Sequence, residues 1–219
     1  MDPIWDDIQT YEDLLKVNII FLKGELDMTP YHYGPLHSDS KLLADKLVAL
    51  TRCGLFTTNG QGPLIEHEVF IEKTWVNHEG QLQGNWYIDT EQKPYLQFYI
   101  PVDRKDFVNC LFEQPDLHVC VLYPDNRRRD NFGMKINLTR DRSAANAADL
   151  PHTPWRLYTN FHLDTDFDDM FAENVPDEYP NMRVLLENCL FVFVALKEYG
   201  VGDLESLLLS LLPPNHEFV

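Results

Sequence analysis

The stretch YLQFYIPVDRKDFVNCLFEQPDLHVCVLY, residues 95–123, decides the fold class. Tyr95–Ile100 is an apolar, β-prone run, and Leu117–Tyr123 is a second run with apolar residues on both faces. Between them, Asp103 caps a helix in which apolar residues recur at helical spacing to about Gln114, and Pro115 prevents its continuation. This order is typical of a β-α-β unit, in which a right-handed crossover joins parallel strands. The sequence therefore predicts an α/β fold with a mixed, largely parallel sheet flanked by helices.

Further strands are expected on both sides of this unit. Leu55–Thr57 is short and apolar, and Phe132–Leu138 has the composition of another core strand. Ile65–Ile71 alternates crudely, which fits a strand or a short helix. Thr74–Val76 and Asn85–Ile88 flank a His-Glu-Gly turn and suggest a β-hairpin.

Helices are predicted at both ends of the chain. Thr10 with Asp13 resembles a capping box at the start of a buried helix that reaches Lys23, and Gly24 is a natural stop. A second helix begins at Ser38 or Ser40 and ends at Arg52, with its apolar stripe at Leu42, Leu43, Leu47 and Leu50. Gly54 is its left-handed stop. Asp203 caps a C-terminal helix, Leu204–Leu212. Asn181–Tyr199 is apolar enough for a buried helix or for a strand around Leu190–Val194, and its length and its ending favour the helix.

Composition and charge limit the classes of function. The 219 residues carry a formal net charge of −17, which disfavours generic binding to nucleic acid or to an anionic membrane. No apolar run reaches the ~18 residues of a membrane span, and the N-terminus is acidic where a signal peptide is basic. We therefore expect a soluble, intracellular, cytoplasmic protein, with host cytoplasm or virion as the location if it is viral. The four cysteines lack C-x-x-C spacing and lie in apolar contexts, which indicates buried free thiols.

The length favours a single domain over residues 1–219, with two small domains as the alternative. The segment around 140–180 is polar and then strongly acidic, and we expect a surface excursion or a lid there. Homo-oligomerisation stays open.

The candidate ligand site follows the short strand at Leu55. Thr58, Asn59 and Gln61 offer hydroxyl and amide groups, and Gly60 and Gly62 let a ligand approach the backbone. Open α/β sheets tend to bind ligands just past the end of a strand. The alternative interpretation is a turn in which Asn and Gly supply positive φ.

A basic cluster is the candidate partner site. Arg127, Arg128 and Arg129, with Lys135, Arg140 and Arg142 downstream, concentrate positive charge in an acidic chain. Such a patch suits a phosphate or an acidic segment of another protein. The alternative is a solvated turn that balances its own acidic neighbours.

Metal and catalytic motifs are absent from the sequence. Asp164, Asp166 and Asp168 alternate as in a calcium loop, but Asp169 and Val175 occupy the positions that need Gly and Glu, so an EF-hand is rejected. A weak divalent-cation site and a solvated acidic loop stay open as alternatives there. His32 and His37 lack an assignable third ligand. No nucleophile elbow, P-loop, dinucleotide fingerprint or H-E-x-x-H zinc motif occurs. No cofactor is expected.

The N-terminal third resembles an uncharacterised family of actinobacteria, with comparable uncharacterised proteins in large DNA viruses of amoebae. That family carries a Gly-Phe-x-Thr-x-x-Ser-Gln-Pro-Gly-like segment after a helix. Gly54, Phe56, Thr57 or Thr58, and Gln61 match that pattern here, whereas Gly60 replaces the serine and Gly62 the proline. The resemblance implies a shared fold and a shared site position, and no activity.

Two functions follow from these features. The first is a non-enzymatic protein-interaction or regulatory protein that uses Arg127–Arg129, which the lack of catalytic motifs favours. The second is a small-molecule or nucleotide-acting enzyme in which Thr58, Asn59 and Gln61 line the pocket, helped by His32, His37 or Glu66.

Overall fold

The structure is a computed structural model that describes residues 3–5, 7–29, 34–36, 41–70, 86–124, 129–130, 135–144, 148–162 and 179–213. These residues form helices α1 (Tyr11–Leu22), α2 (Ala44–Arg52), α3 (Lys105–Phe112), α4 (Pro180–Leu186) and α5 (Leu204–Leu211). Their strands are β1 (Phe56–Gln61), β2 (Leu64–Phe70), β3 (Trp86–Gln92), β4 (Tyr95–Pro101), β5 (Leu117–Leu122), β6 (Arg129–Asp130), β7 (Lys135–Ala144), β8 (Arg156–His162) and β9 (Cys189–Leu196). Three short 3-10 turns lie at Pro3–Trp5, Val102–Arg104 and Leu150–His152.

The strands form two sheets. Sheet I has the order β1-β4-β9-β5-β6, and sheet II has the order β2-β3-β7-β8. Every strand pairing within the described residues is antiparallel. The predicted α/β class with a largely parallel sheet is therefore wrong, because the sheets are antiparallel and the helices do not serve as crossovers between paired parallel strands.

Strand β9 explains the error. It lies between β4 and β5 and pairs antiparallel with both, so that Phe191 is opposite Tyr99 on one side and Leu122 on the other. Strands β4 and β5 consequently run in the same direction without pairing, as in a split β-α-β arrangement. The helix favoured over 181–199 is also wrong, because α4 ends at Leu186 and all eight residues of β9 are buried. A strand that is buried on both faces has a continuous apolar sequence, which periodicity cannot separate from a buried helix.

The two faces of sheet I bury separate hydrophobic clusters. Leu190, Val192 and Val194 of β9 face a cluster formed with α1, α2, α3 and α5. Phe191 and Phe193 point the opposite way, as alternate residues of a strand must, into a second cluster with Trp5, α4 and β7. Ile136 and Leu138 of β7 belong to this second cluster, so sheet II packs against that face of sheet I, to which α1 also contributes Leu14, Leu15 and Val17.

The predicted helix signals are mostly confirmed. The Thr10 hydroxyl accepts from the Asp13 amide at 3.1 Å while Asp13 Oδ2 accepts from the Thr10 amide at 3.0 Å, which is a complete capping box. Gly24 and Gly54 have φ of 76° and 92°, as expected of helix stops. Leu42 is wrong as a member of the apolar stripe, since its side chain is 87% exposed and α2 begins only at Ala44. The Asp103 cap is also wrong, because α3 begins at Lys105, after a 3-10 turn.

The predicted strands are present with different partners and bounds. The segment that fitted either a strand or a short helix is a strand, β2, over residues 64–70. β2 pairs with β3. Thr74–Val76, the predicted partner of Asn85–Ile88, lies outside the described residues. β7 extends to Ala144 and β8 occupies Arg156–His162, both within the predicted excursion, whereas 163–178 lie outside the described residues.

The four cysteines are free thiols, with Cys120 and Cys189 buried and Cys53 and Cys110 half-buried. Burial raises the pKa of Cys120 and of Cys189 to about 12. No helix in the described part of the chain combines the length and the apolarity needed to cross a membrane.

Candidate functional site

The predicted ligand-binding residues lie within a strand. β1 is at the edge of sheet I, and its register with β4 places Asn59 opposite Gln97 and Gln61 opposite Tyr95. The register shifts between Thr57 and Asn59, so Thr58 is the extra residue of a β-bulge. The predicted loop past the strand is therefore wrong, because the polar residues continue the pairing with β4.

These three residues differ in their surroundings. Thr58 Oγ1 is buried and has no hydrogen-bond partner among the described residues. Asn59 is exposed, and its side chain hydrogen-bonds that of Tyr95, which partly offsets the burial that raises the pKa of the Tyr95 phenol. Gln61 is half-buried. The structure thus brings Asn59 to Tyr95, and Thr58 keeps a polar atom that a ligand can satisfy.

Several other predicted site residues lie beyond what the structure describes. The described residues do not include Arg127, Arg128, His32 or His37. The backbone of Arg129 pairs with Leu122 in the β5–β6 ladder, and the backbone of Glu66 pairs with Thr90 in the β2–β3 ladder.

A cluster of cations, carboxylates and aromatic rings lies instead on sheet II. Strands β3 and β7 place Asp89 opposite Arg142 and Glu91 opposite Arg140, and residues directly opposite each other share one face of a sheet. Arg142 Nε donates to Asp89 Oδ2 at 2.7 Å, and Arg140 Nε donates to Glu91 Oε2 at 2.7 Å. Two of the six residues of the predicted basic cluster are therefore engaged in ion pairs within the chain.

Two aromatic rings cover these guanidinium groups. The Cζ atom of Arg140 lies 4.4 Å from the ring centroids of both Trp155 and Tyr199, and that of Arg142 lies 4.5 Å from the Trp155 centroid. Trp155 directly precedes β8, and Tyr199 follows β9. The Tyr199 hydroxyl donates to the Asn137 carbonyl oxygen at 2.9 Å, so its ring is fixed over β7.

Lys93 completes the group, which we call the cation–aromatic cluster: Lys93, Arg140, Arg142, Trp155 and Tyr199, with the carboxylates of Asp89 and Glu91. Lys93 is 7% exposed, and its Nζ lies 4.6 Å from the Tyr199 ring centroid. Its ammonium has no ion pair with a carboxylate of the described residues. Burial and then the neighbouring Arg140 charge lower the pKa of Lys93. Lys93 is thus a desolvated cation beside a second cation.

The neighbourhood of Lys93 is electropositive. Burial lowers the pKa of His118 on β5, and the charges of Lys93 and Lys197 lower it further. The cluster itself holds three cations and two carboxylates. A local positive excess of this kind stands out in a chain with a net charge of −17.

Exposed apolar side chains flank the charged centre. The pairing registers align one row across sheet II, from Ile65 through Glu91 and Arg140 to Leu157. Ile65 is 51% exposed and Leu157 is 57% exposed, while Trp155 is half-buried. This face therefore presents apolar surface on either side of a shielded ion pair.

Sequence reasoning identified Arg140 and Arg142 and missed Lys93, Trp155 and Tyr199. The usable signal was the alternation of Asp89 and Glu91 on β3 with Lys93 just past its end, which puts three charges on one side of the chain. That signal becomes informative only when β3 is paired with β7. Among the described residues, no group of three or more His, Cys, Asp or Glu side chains is arranged to hold a metal ion.

A family model described as "Domain of unknown function (DUF6919)" matches residues 1–78. This is the N-terminal third for which the sequence showed a family resemblance. The matched segment contains α1, α2, β1 and β2, and it ends before the cation–aromatic cluster begins. No curated protein matches the chain.

Proposed function

We propose that the chain is a non-enzymatic protein-interaction or regulatory protein, and that it binds an acidic segment of another protein on the cluster-bearing face of sheet II. The observation that carries the proposal is the row from Ile65 to Leu157, in which two exposed apolar side chains flank the Arg140 guanidinium under its two rings.

The composition of this face supports protein binding. Trp, Tyr and Arg are the residues most enriched among those that dominate interface energies, and they act best when neighbouring contacts exclude water. Trp155, Tyr199 and Arg140 lie together here, with Leu157 beside them. Their ion pairs and ring contacts hold them in place before binding, so little side-chain entropy is lost on association.

Charge supports an acidic partner. Lys93 lacks a carboxylate among the described residues, and the cluster has one positive charge in excess. An acidic segment supplies the missing anion and is steered toward this face, while the remainder of the acidic surface repels it from other sites. Arg127, Arg128 and Arg129 stay in the proposal as a second basic contact for the same segment.

A small-molecule or nucleotide-acting enzyme is the second candidate. The buried Thr58 Oγ1, which lacks a hydrogen-bond partner among the described residues, favours it. In that case Thr58→Val should abolish any ligand-induced rise in melting temperature. Leu157→Ser should leave that rise unchanged.

Further parts of the proposal concern origin and location. We propose that the segment matched at residues 1–78 is shared with the actinobacterial family and with proteins of large amoebal DNA viruses. A cytoplasmic location, in the host or in a virion if the protein is viral, goes with this proposal.

Selection of short random peptides displayed on phage tests the proposed function. Peptides that combine Asp or Glu with apolar residues should be enriched on the unmodified protein. Leu157→Ser should weaken their binding about tenfold, as expected for loss of an interface anchor of more than 1 kcal/mol. Val184→Ser on α4 is the matched control, because Val184 is 59% exposed and lies outside this face. Enrichment of basic peptides, or equal binding by the Leu157→Ser variant, contradicts the proposal.

A further inference from the structure

We infer that the Lys93 ammonium and the Arg140 guanidinium form a subsite for a single carboxylate, with the Tyr199 ring in contact with both cations. This inference rests on the proposed function. It specifies which chemical group of the partner binds to the cation–aromatic cluster. The carboxylate belongs to an Asp or Glu side chain or to a chain terminus, since both present the same two oxygens.

The positions of the two cations carry the argument. Lys93 Nζ and Arg140 Cζ lie 4.6 Å and 4.4 Å from the centroid of the same Tyr199 ring. Both charges therefore contact the same ring, and the Arg140 charge adds to the cost of keeping Lys93 protonated. In a chain with nearly twice as many acidic as basic residues, two adjacent cations with only one carboxylate between them form a site built for an anion.

Both cations have hydrogen-bond donors to spare. A lysine ammonium has three donors, and Lys93 gives none of them to a carboxylate of the described residues. Arg140 uses Nε and Nη2 on Glu91 Oε2, and its Nη1 makes no hydrogen bond to a described residue. One carboxylate oxygen can thus accept from Lys93 and the other from Arg140 Nη1, and such charge-assisted bonds are the strong ones.

The burial of Lys93 favours a carboxylate over a phosphate as the bound anion. Lys93 is 7% exposed, so uncompensated charge at its tip is costly. The cluster has one positive charge in excess, which a carboxylate neutralises. A phosphate dianion would leave a negative charge in the same partly buried site, where it has no further partner.

The subsite couples anion binding to proton binding. In the free protein, burial and Arg140 lower the pKa of Lys93. A bound carboxylate favours the ammonium and raises that pKa again. Binding should therefore be accompanied by proton uptake at a pH near the lowered pKa, and it should weaken as pH rises above it.

NMR of the full chain, labelled with ¹³C at the lysine ε-carbon, tests the subsite. The Lys93 signal is assigned by its loss in Lys93→Arg, and the exposed Lys16, paired with Glu12, is the internal control. The probes are acetate, acetyl-Gly-Glu-Gly-amide and acetyl-Gly-Gly-Gly with a free carboxylate. Sodium chloride and inorganic phosphate at the same ionic strength, and acetyl-Gly-Gln-Gly-amide, are the controls.

The expected result is a saturable shift of the Lys93 signal with acetate and with either carboxylate peptide, and none with the Gln peptide or chloride. The peptide with the lower dissociation constant identifies the source as side chain or terminus. In titrations followed at the Trp155 indole, Lys93→Met should lower the affinity about tenfold, equivalent to one charge-assisted hydrogen bond. Lys93→Arg should retain most of the affinity.

Two results overturn the inference: a Lys93 signal that follows ionic strength alone, and tighter binding of phosphate than of acetate. Failure of the proposed function has a different signature. If the subsite is right and the proposed surface wrong, acetate still shifts Lys93 while Leu157→Ser leaves peptide selection unchanged. If the surface is right and the subsite wrong, selected peptides respond to Leu157→Ser and not to Lys93→Met.

Discussion

Arg142 holds the buried carboxylate of Asp89 across the β3–β7 ladder. Its Nε and one Nη atom both lie 2.7 Å from the same oxygen, Asp89 Oδ2, and the Asp89 side chain is only 7% exposed. Removing one partner of a buried pair is costly, because the other charge keeps its desolvation penalty. Arg142→Met should therefore lower the free energy of unfolding by about 3 kcal/mol in urea titrations.

The matched control is Lys16→Met, which breaks an exposed pair with Glu12 on α1 and should leave the free energy of unfolding nearly unchanged. The double variant Arg142→Met with Asp89→Asn should recover part of the loss, since it removes the uncompensated charge. If Arg142→Met costs no more than Lys16→Met, the pair contributes nothing and the cluster is not rigid.

The fold was predictable where local chemistry decides it. The capping box at Thr10 and the helix stops at Gly24 and Gly54 depend on contacts within a few residues, and sequence reasoning found all three. The direction of strand pairing was not predictable in this way. It depends on β9, which inserts between β4 and β5 from about seventy residues later in the chain. Long-range pairing of this kind leaves no periodic signal in either partner.

Buried polar contacts were likewise hidden from the sequence. Asn18 lies within the apolar run of α1 and is fully buried. Its amide donates to Thr51 Oγ1 at 3.5 Å and to the Thr57 carbonyl oxygen at 3.4 Å, which connects α1 with α2 and β1. No spacing rule pairs these residues. The same reason explains why the candidate site was not predicted. Lys93, Trp155 and Tyr199 are brought together only by the folded sheets.

Gly54 should matter to stability far more than Gln61 does. Gly54 is buried with φ of 92°, a conformation that a β-branched residue rarely adopts. Gly54→Val should therefore cost at least about 1 kcal/mol, whereas Gln61→Ala, at a half-buried edge position, should cost within about 0.5 kcal/mol. Thermal melting of both variants measures the difference. Equal melting temperatures would identify Gln61 as a structural residue and end its candidacy as a ligand contact.

Arg127, Arg128 and Arg129 should contribute to binding and little to folding. Changing all three to Ala should leave the melting temperature nearly unchanged, because the sequence places them in a polar turn and surface charges of this kind contribute little to stability. Affinity for a selected acidic peptide should fall, and its dependence on salt should flatten. A pull-down in which the triple variant binds as the unmodified protein does would remove these residues from the proposal.

Lys93→Met should stabilise the protein at neutral pH, because it replaces a desolvated cation with an apolar side chain of similar length. The gain should be on the order of 1 kcal/mol. Its pH dependence follows from the pKa of Lys93, which lies below the ordinary 10.5 in the folded state. Below the lowered pKa, both the folded and the unfolded chain hold the proton, so the folded state carries the full cost of burying the charge.

As pH rises from the lowered pKa toward 10.5, the folded protein loses this proton while the unfolded chain still holds it. Unfolding then binds a proton, and the contribution of Lys93 to stability increases with pH. The advantage of Lys93→Met should therefore narrow across that window in urea titrations of both proteins, in which all other groups cancel. Lys93→Arg is the control, since a guanidinium stays charged and its cost should not change with pH. An advantage of Lys93→Met that stays constant or widens would show that the Lys93 ammonium is not desolvated in the folded protein, and the carboxylate subsite would lose its physical basis.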